Sequence, residues 1–265
     1  MWLGSPRMFD KEAFLRDIEG PGYAVLKNVN SPEFVARCKA ELARAIDLET
    51  SYHGKGTDHR EYAMVLICSL YGRSFIDLFD NPIITQGFNA VLGDGCITYA
   101  YTSSSMPPNR TNYSQRIHVD SPRMIPGYDT TFGAIFPLDD FTEENGATWL
   151  LPGSQHRAEE PSREEFFRDA IRVLAPAGSA FFFHPRLWHA GGQNTTDQWR
   201  HCITVSMCRP WMKQRLDIPR AMSSLDLTGV SEHALQKLGF RAQVPASYEE
   251  FYAPLEKRKF RQKTE

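Results

Sequence analysis

The chain has 265 residues, 42% of them hydrophobic and 12% aromatic, enough to bury one sizeable core. Lys and Arg number 30 against 32 Asp and Glu, a formal net charge of -2, which gives no support to nucleic-acid or polyanion binding. The five cysteines (Cys38, Cys68, Cys96, Cys202, Cys208) are scattered and lack a CxxC spacing, which argues against a disulfide framework and a zinc–thiolate site.

Residues 1–95 read as a mainly helical preface. The N-terminal "MWLGSPRMFD" has no apolar run suited to a signal peptide. Met8 to Ile18 carries Phe9, Phe14, Leu15 and Ile18 at helical spacing and stops at Gly20. "GYAVLKN" then reads as a strand. Ser31-Pro32-Glu33 gives an N-cap residue with proline at the first helical position, opening a helix with Phe34, Val35, Cys38, Leu42 and Ile46. The polar loop "SYHGKGTDHR" holds His53 and His59, read as solvated. The longest apolar run, Tyr62 to Tyr71, falls short of the roughly 18 residues of a membrane helix, so no membrane partner is expected and the location expected is cytoplasmic. Another helix is expected from Pro82 to Leu92.

From Cys96 the texture changes. Short β-prone runs alternate with Gly, Pro, Asn and Asp clusters: "CITYAYT", "RIHVD", "TTFGAIFPL", "ATWLLPG", "SAFFFHP" and "RHCITVSMC". Six such runs predict an antiparallel sandwich or jelly-roll core over residues 96–210. Residues 211–265 form a C-terminal segment with a helix at Ser231 to Leu238 and a basic, solvated end from Glu256 to Lys263. Helices first and a β-rich core afterwards give an α+β protein of one domain.

Within "QRIHVDSPR", His118 and Asp120 flank Val119. In a strand, i and i+2 share a face, so the two polar side chains project together. Chance alone supplies roughly 0.5 such pairs in a chain of this composition, so the pair needs partners. Two imidazoles and one carboxylate on one face suit iron(II) and leave open positions. "FFFHPRLWHAGGQN" offers His184 and His189 as the second imidazole. His189 is preferred because Gly191-Gly192 follows, where backbone can bend close to a bound group. Arg200 opens the last strand on the face of Cys202, Thr204 and Ser206. A guanidinium buried there is costly unless it meets an anion such as the far carboxylate of a dicarboxylate.

"HVD", then "LDDFTEENGATWLLPGSQH", then "PAGSAFFFHPRLWHAGGQNTTDQWR" resembles the phytanoyl-CoA dioxygenase family of iron(II)- and 2-oxoglutarate-dependent oxygenases, over roughly Tyr99 to Met207. The resemblance implies a double-stranded β-helix, cupin-like, with the N-terminal helices packed outside. It implies Fe(II) on His118, Asp120 and His189, and 2-oxoglutarate with its distal carboxylate on Arg200. It also implies O2 as oxidant, and cosubstrate contacts from Gln115, Thr148 and position 202. Gln115 lies an odd number of residues from His118, so a bulge or strand end is needed to bring it in. Cys202 stands where the family often has serine, and a thiol donates hydrogen bonds poorly. Halogenating relatives lose the carboxylate, so Asp120 points to oxygen transfer: hydroxylation or a related C–H oxidation.

The expected partner is a small molecule, a natural-product or amino-acid-derived metabolite, with Arg123, Tyr99 and Tyr101 as candidate pocket residues. Two other classes remain open: a zinc hydrolase or cupin-type isomerase on the same His/Asp/His set, and a non-catalytic metabolite-binding jelly roll. Neither explains Arg200. His184 and His201 read as packing residues, and Trp149 and Trp188 as core or wall.

Overall fold

Asp10 accepts a hydrogen bond from the Ala13 amide at 3.0 Å, so helix α1 (Lys11–Glu19) starts at that cap rather than at Met8. The computed structural model describes residues 9–50 and 63–258; His53, His59 and the basic tail beyond residue 258 lie outside the described residues. β1 (Tyr23–Leu26) follows α1. α2 (Pro32–Thr50) opens on Ser31, whose Oγ accepts from the Phe34 amide at 3.2 Å. After the short α3 (Arg73–Asp77), Asn81 caps α4 (Pro82–Leu92) with proline at its first position.

The β-rich part holds β2 (Ile97–Ser103), β3 (Thr131–Pro137), β4 (Trp149–Leu150), helix α5 (Arg163–Asp169), β5 (Ile171–Arg172), β6 (Ala180–Phe183), β7 (His189–Ala190) and β8 (Cys202–Cys208). Three short helices follow: α6 (Ile218–Ala221), α7 (Glu232–Leu238) and α8 (Tyr248–Phe251). A five-stranded sheet runs β1-β6-β3-β8-β2 and a three-stranded sheet β5-β4-β7, every strand pair antiparallel. These sheets and helices make the jelly-roll, α+β architecture. The "GYAVLKN" strand is thus an edge of the large sheet, pairing Tyr23 with Phe183.

The "RIHVD" run does not form a full strand. Only His118 bridges to His189, because a turn at Tyr113–Gln115 precedes it and Pro122, which lacks an N–H, follows it. "ATWLLPG" likewise shortens to the two residues of β4.

Alternation along β6 divides the core. Phe182 faces the helices and meets Phe14 edge-on at 5.2 Å and Phe88 at 5.3 Å. Phe181 and Phe183 point the other way, stack on each other at 5.4 Å, and pack with Ile135, Leu150, Leu187 and Cys202 between the sheets. Gly87 permits the close approach of α4, since a Cβ there would lie 2.6 Å from the Phe182 ring. The inter-sheet layer is the wall against which the polar site is built.

Candidate metal and anion site

His118 and His189 exchange backbone hydrogen bonds at 3.0 Å in both directions, which sets their rings 4.2 Å apart between centroids. Asp120 completes the group: its Oδ1 lies 3.6 Å from His118 Nε2 and 3.8 Å from His189 Nε2. One ligand atom from each of the three falls within 4.8 Å of the others. His118 Nδ1 meets the Arg116 carbonyl at 2.7 Å and His189 Nδ1 meets the Leu187 carbonyl at 2.9 Å. Both Nδ1 atoms are therefore donors and both Nε2 atoms face the carboxylate, the orientation in which a deprotonated Nε2 binds a metal.

Burial opposes charge on His118, but the Asp120 carboxylate and the Arg116 carbonyl outweigh it and hold the pKa above the ordinary value. Asp120 is pushed up by burial and pulled down further by His118 and His189, so it stays ionised. His189, 8% exposed, is held below the ordinary value by burial, with Asp120 partly offsetting. Two imidazoles, one neutral by burial, and one carboxylate form a donor set suited to a divalent metal. The Asp120 side chain is 34% exposed, so the set is not sealed.

Arg200 is 2% exposed. Its Nη1 donates to the Ser104 carbonyl at 3.4 Å and to Cys202 Sγ at 3.1 Å, and Nη2 donates to the Gly146 carbonyl at 3.2 Å. Nε has no partner, and no carboxylate pairs with the guanidinium among the described residues. The Phe141 ring lies 4.3 Å from its central carbon. A buried cation held by carbonyls and a ring, without an anion, is a receptor for one. Gly146, at φ +85°, makes this possible: a Cβ there would meet the Gly192 carbonyl at 2.9 Å. Buried Asn194 fixes the turn leading to Arg200 by donating to the carbonyls of Pro107 and Gln198 and accepting from the Thr196 amide.

The other sequence candidates divide. Thr148 is buried two residues before Leu150 of the inter-sheet layer. Gln115 is exposed at the end of the turn Tyr113–Gln115, the break in strand geometry its position calls for, and its side chain makes no hydrogen bond among the described residues. Cys202 donates its thiol hydrogen to the Ser104 carbonyl at 3.1 Å and receives Arg200 Nη1, so it supports the guanidinium rather than facing a ligand. Arg123 is exposed and lines a cavity of about 490 Å³ with Leu15, Ile18, Tyr128 and His184. Tyr101 corrects the sequence reading: its ring sits in the helical core against Phe75 and Phe79, and its hydroxyl donates to the Phe75 carbonyl at 2.7 Å. Tyr99 is half-buried and lines a crevice of only about 10 Å³ beside Arg215, apart from the His/Asp/His group.

His184 is a packing residue, joined to Asp129 at 3.2 Å and accepting from the Arg186 amide. His201 binds Ser105 Oγ at 2.8 Å and stacks on Trp199. Trp149 and Trp188 pack with Phe166 as wall. Sequence reasoning missed Tyr113. The residue is 40% exposed, yet burial pushes its phenol up to about 12. A tyrosine five residues before the first histidine carries no spacing signal.

A profile of the family described as phytanoyl-CoA dioxygenase (PhyH) matches residues 18–202. An uncharacterized protein of Mycobacterium bovis is 30% identical over 247 residues, covering 91% of this chain and 90% of its own length. The dioxygenase ALT11 of Alternaria alternata is 32% identical over 256 residues, covering 86% and 81%. Among solved structures, the non-heme alpha-ketoglutarate-dependent carbocyclase SnoK from nogalamycin biosynthesis superposes with a TM-score of 0.62 at 24% identity. That match covers 78% of this chain and 88% of the other.

Proposed function

The chain belongs to the phytanoyl-CoA dioxygenase family, and on that premise we propose that His118, Asp120 and His189 hold its Fe(II) while Arg200 anchors 2-oxoglutarate. The protein is a non-haem iron, 2-oxoglutarate-dependent dioxygenase, which uses O2 as its oxidant. Bound iron supplies the oxygen activation and C–H oxidation. The chain's own residues position and shield. The Nδ1 bonds to the Arg116 and Leu187 carbonyls hold both rings with Nε2 inward. Arg200 would pair with the distal carboxylate in the recess of Phe141, and buried Thr148 lies two residues before Leu150 of the inter-sheet layer. Phe183, Leu150 and Ile135 keep that layer dry.

The observation that carries this reading is the buried Arg200 guanidinium, which meets no carboxylate among the described residues and is joined through Cys202 and Phe183 of the inter-sheet layer to the His/Asp/His cluster. The substrate is a small organic molecule of natural-product or amino-acid origin, oxidised by hydroxylation or a related C–H oxidation. The loop leaving Asp120 supports this: its residues Arg123, Met124, Ile125 and Pro126 line the cavity of about 490 Å³. A cavity of that size suits a small, largely apolar ligand.

The test is an anaerobic titration of the Fe(II)-loaded protein with 2-oxoglutarate, followed by admission of air. A visible metal-to-ligand charge-transfer band and then succinate are expected. Tight zinc binding with neither band nor succinate returns the protein to the hydrolase class.

A further inference from the structure

The three side chains of the His/Asp/His group are not held alike. His118 and His189 are fixed by the bridge between their backbones, and the Arg116 and Leu187 carbonyls orient their rings. Asp120 lies two residues beyond that bridge, at a bend. Neither Asp120 nor Val119 makes a backbone hydrogen bond among the described residues. After Asp120 the chain runs into Arg123–Tyr128, exposed throughout. A carboxylate at the head of such a segment needs a hold from outside it.

The turn between β6 and β7 supplies that hold. The Pro185 carbonyl accepts from the Ser121 amide at 3.0 Å, and Arg186 Nη1 donates to the Pro122 carbonyl at 2.8 Å. The same guanidinium donates from Nε to the Gln155 carbonyl at 3.1 Å and from Nη2 to the Arg157 carbonyl at 2.8 Å. Three nitrogens thus meet three carbonyls, one on the segment leaving Asp120 and two on the turn after β4. No carboxylate pairs with Arg186 among the described residues. A planar fork fixes those three directions together, which a single ammonium does not. Arg186 also stands three residues before His189, so one turn bears on two of the three ligands.

We propose that Arg186 is a positioning residue for the Asp120 carboxylate, holding the chain beyond it through the Pro122 carbonyl. The inference rests on the metal reading above. Its sign separates it from an electrostatic role. Loss of a positive charge beside the segment would by itself favour a bound dication, whereas loss of the hold weakens the site. Arg209 provides the control. It clamps the far end of the same segment, donating from Nε to the Asp129 carbonyl at 2.9 Å and from Nη1 to the Leu92 carbonyl at 2.8 Å.

The test titrates the full chain under argon with Co(II), a spectroscopic stand-in for Fe(II), and reads the visible d–d absorption. Arg186→Gln should bind Co(II) about tenfold more weakly, the lower end for losing an outer-shell partner, and its band at saturation should differ from the parent's. Arg209→Gln should keep the parent band and an affinity within about twofold. Circular dichroism is read alongside. If Arg186→Gln does not fold, Arg186→Lys carries the same expectation, because one ammonium cannot serve three carbonyls. Unchanged or tighter binding, an unchanged band, or an equal loss in Arg209→Gln overturns the proposal. A parent protein that binds no Co(II) overturns instead the metal reading on which it stands.

Discussion

His118 and His189 each donate a backbone N–H to the other's carbonyl, at 3.0 Å both ways, in a single isolated bridge. The ladder contact, not the side chains, therefore sets the spacing of the two imidazoles. Removing one ring leaves the bridge in place.

His189→Ala should consequently keep its far-UV circular dichroism while losing iron. Equilibrium dialysis against Fe(II) under argon, with metal analysis, is expected to show a fall in affinity of at least about 100-fold, larger than the usual effect of losing an outer-shell partner. His118→Ala should behave in the same way. His184→Ala should retain full iron, because that ring is spent on Asp129 and the Arg186 amide. Full iron stoichiometry in His189→Ala removes it from the ligand set.

Arg200 makes the opposite prediction for stability. Its charge is buried and meets no carboxylate among the described residues, so the ligand-free protein bears a desolvation cost. Arg200→Met should melt within a few degrees of the parent when ligand-free. In the parent, 2-oxoglutarate at 100 times Kd adds about 2.7 kcal/mol. Arg200→Met should lose that thermal shift entirely. A shift of equal size in the variant places the cosubstrate elsewhere.

The metal and anion residues were legible because each is a rare type in a set order: His118 and Asp120 flanking one valine, His189 before paired glycines, Arg200 two residues ahead of β8. Their supports were not. Arg200 is held by the Ser104 and Gly146 carbonyls and the Phe141 ring, and backbone acceptors leave no residue signature. Alternation marks which residues share a face but not which face looks inward. β2 is an edge strand whose Tyr101 turns to Phe75 and Phe79 in the helical layer, so a strand rich in tyrosine was misread as an entrance. "RIHVD" reads as a strand by composition, yet the flanking turn and Pro122 reduce it to one bridge.

Gly87 tests the helix–sheet contact that backs the site. A Cβ there would lie 2.6 Å from Phe182 Cζ, and that ring is enclosed by Phe14, Phe88 and Phe132. Gly87→Ala should destabilise by about 1–3 kcal/mol in urea unfolding, the range for overpacking. Phe182→Leu should relieve part of that clash, so the double variant should fall short of additivity by at least about 0.5 kcal/mol. Additive losses would mean that α4 shifts as a body instead of pressing on the ring.

All five cysteines are buried, and burial raises every one of their thiol pKa values, Cys38 and Cys208 up to about 12. At Cys202 the neighbouring Arg200 pulls the other way, but burial prevails. The nucleophile is the thiolate, so at about pH 8 the folded protein should react with a disulfide reagent far more slowly than an ordinary thiol does. Denaturant should release all five. The linkage has a definite sign: the folded state keeps thiol protons that the unfolded chain gives up near the ordinary value of 9.0. The stability these groups contribute is complete below that value and lost as pH rises from it toward about 12. Urea midpoints measured on either side of pH 9.0 should therefore fall on the alkaline side, and Cys38→Ala should flatten the fall. A midpoint that rises with pH across that window contradicts the burial assigned to these thiols.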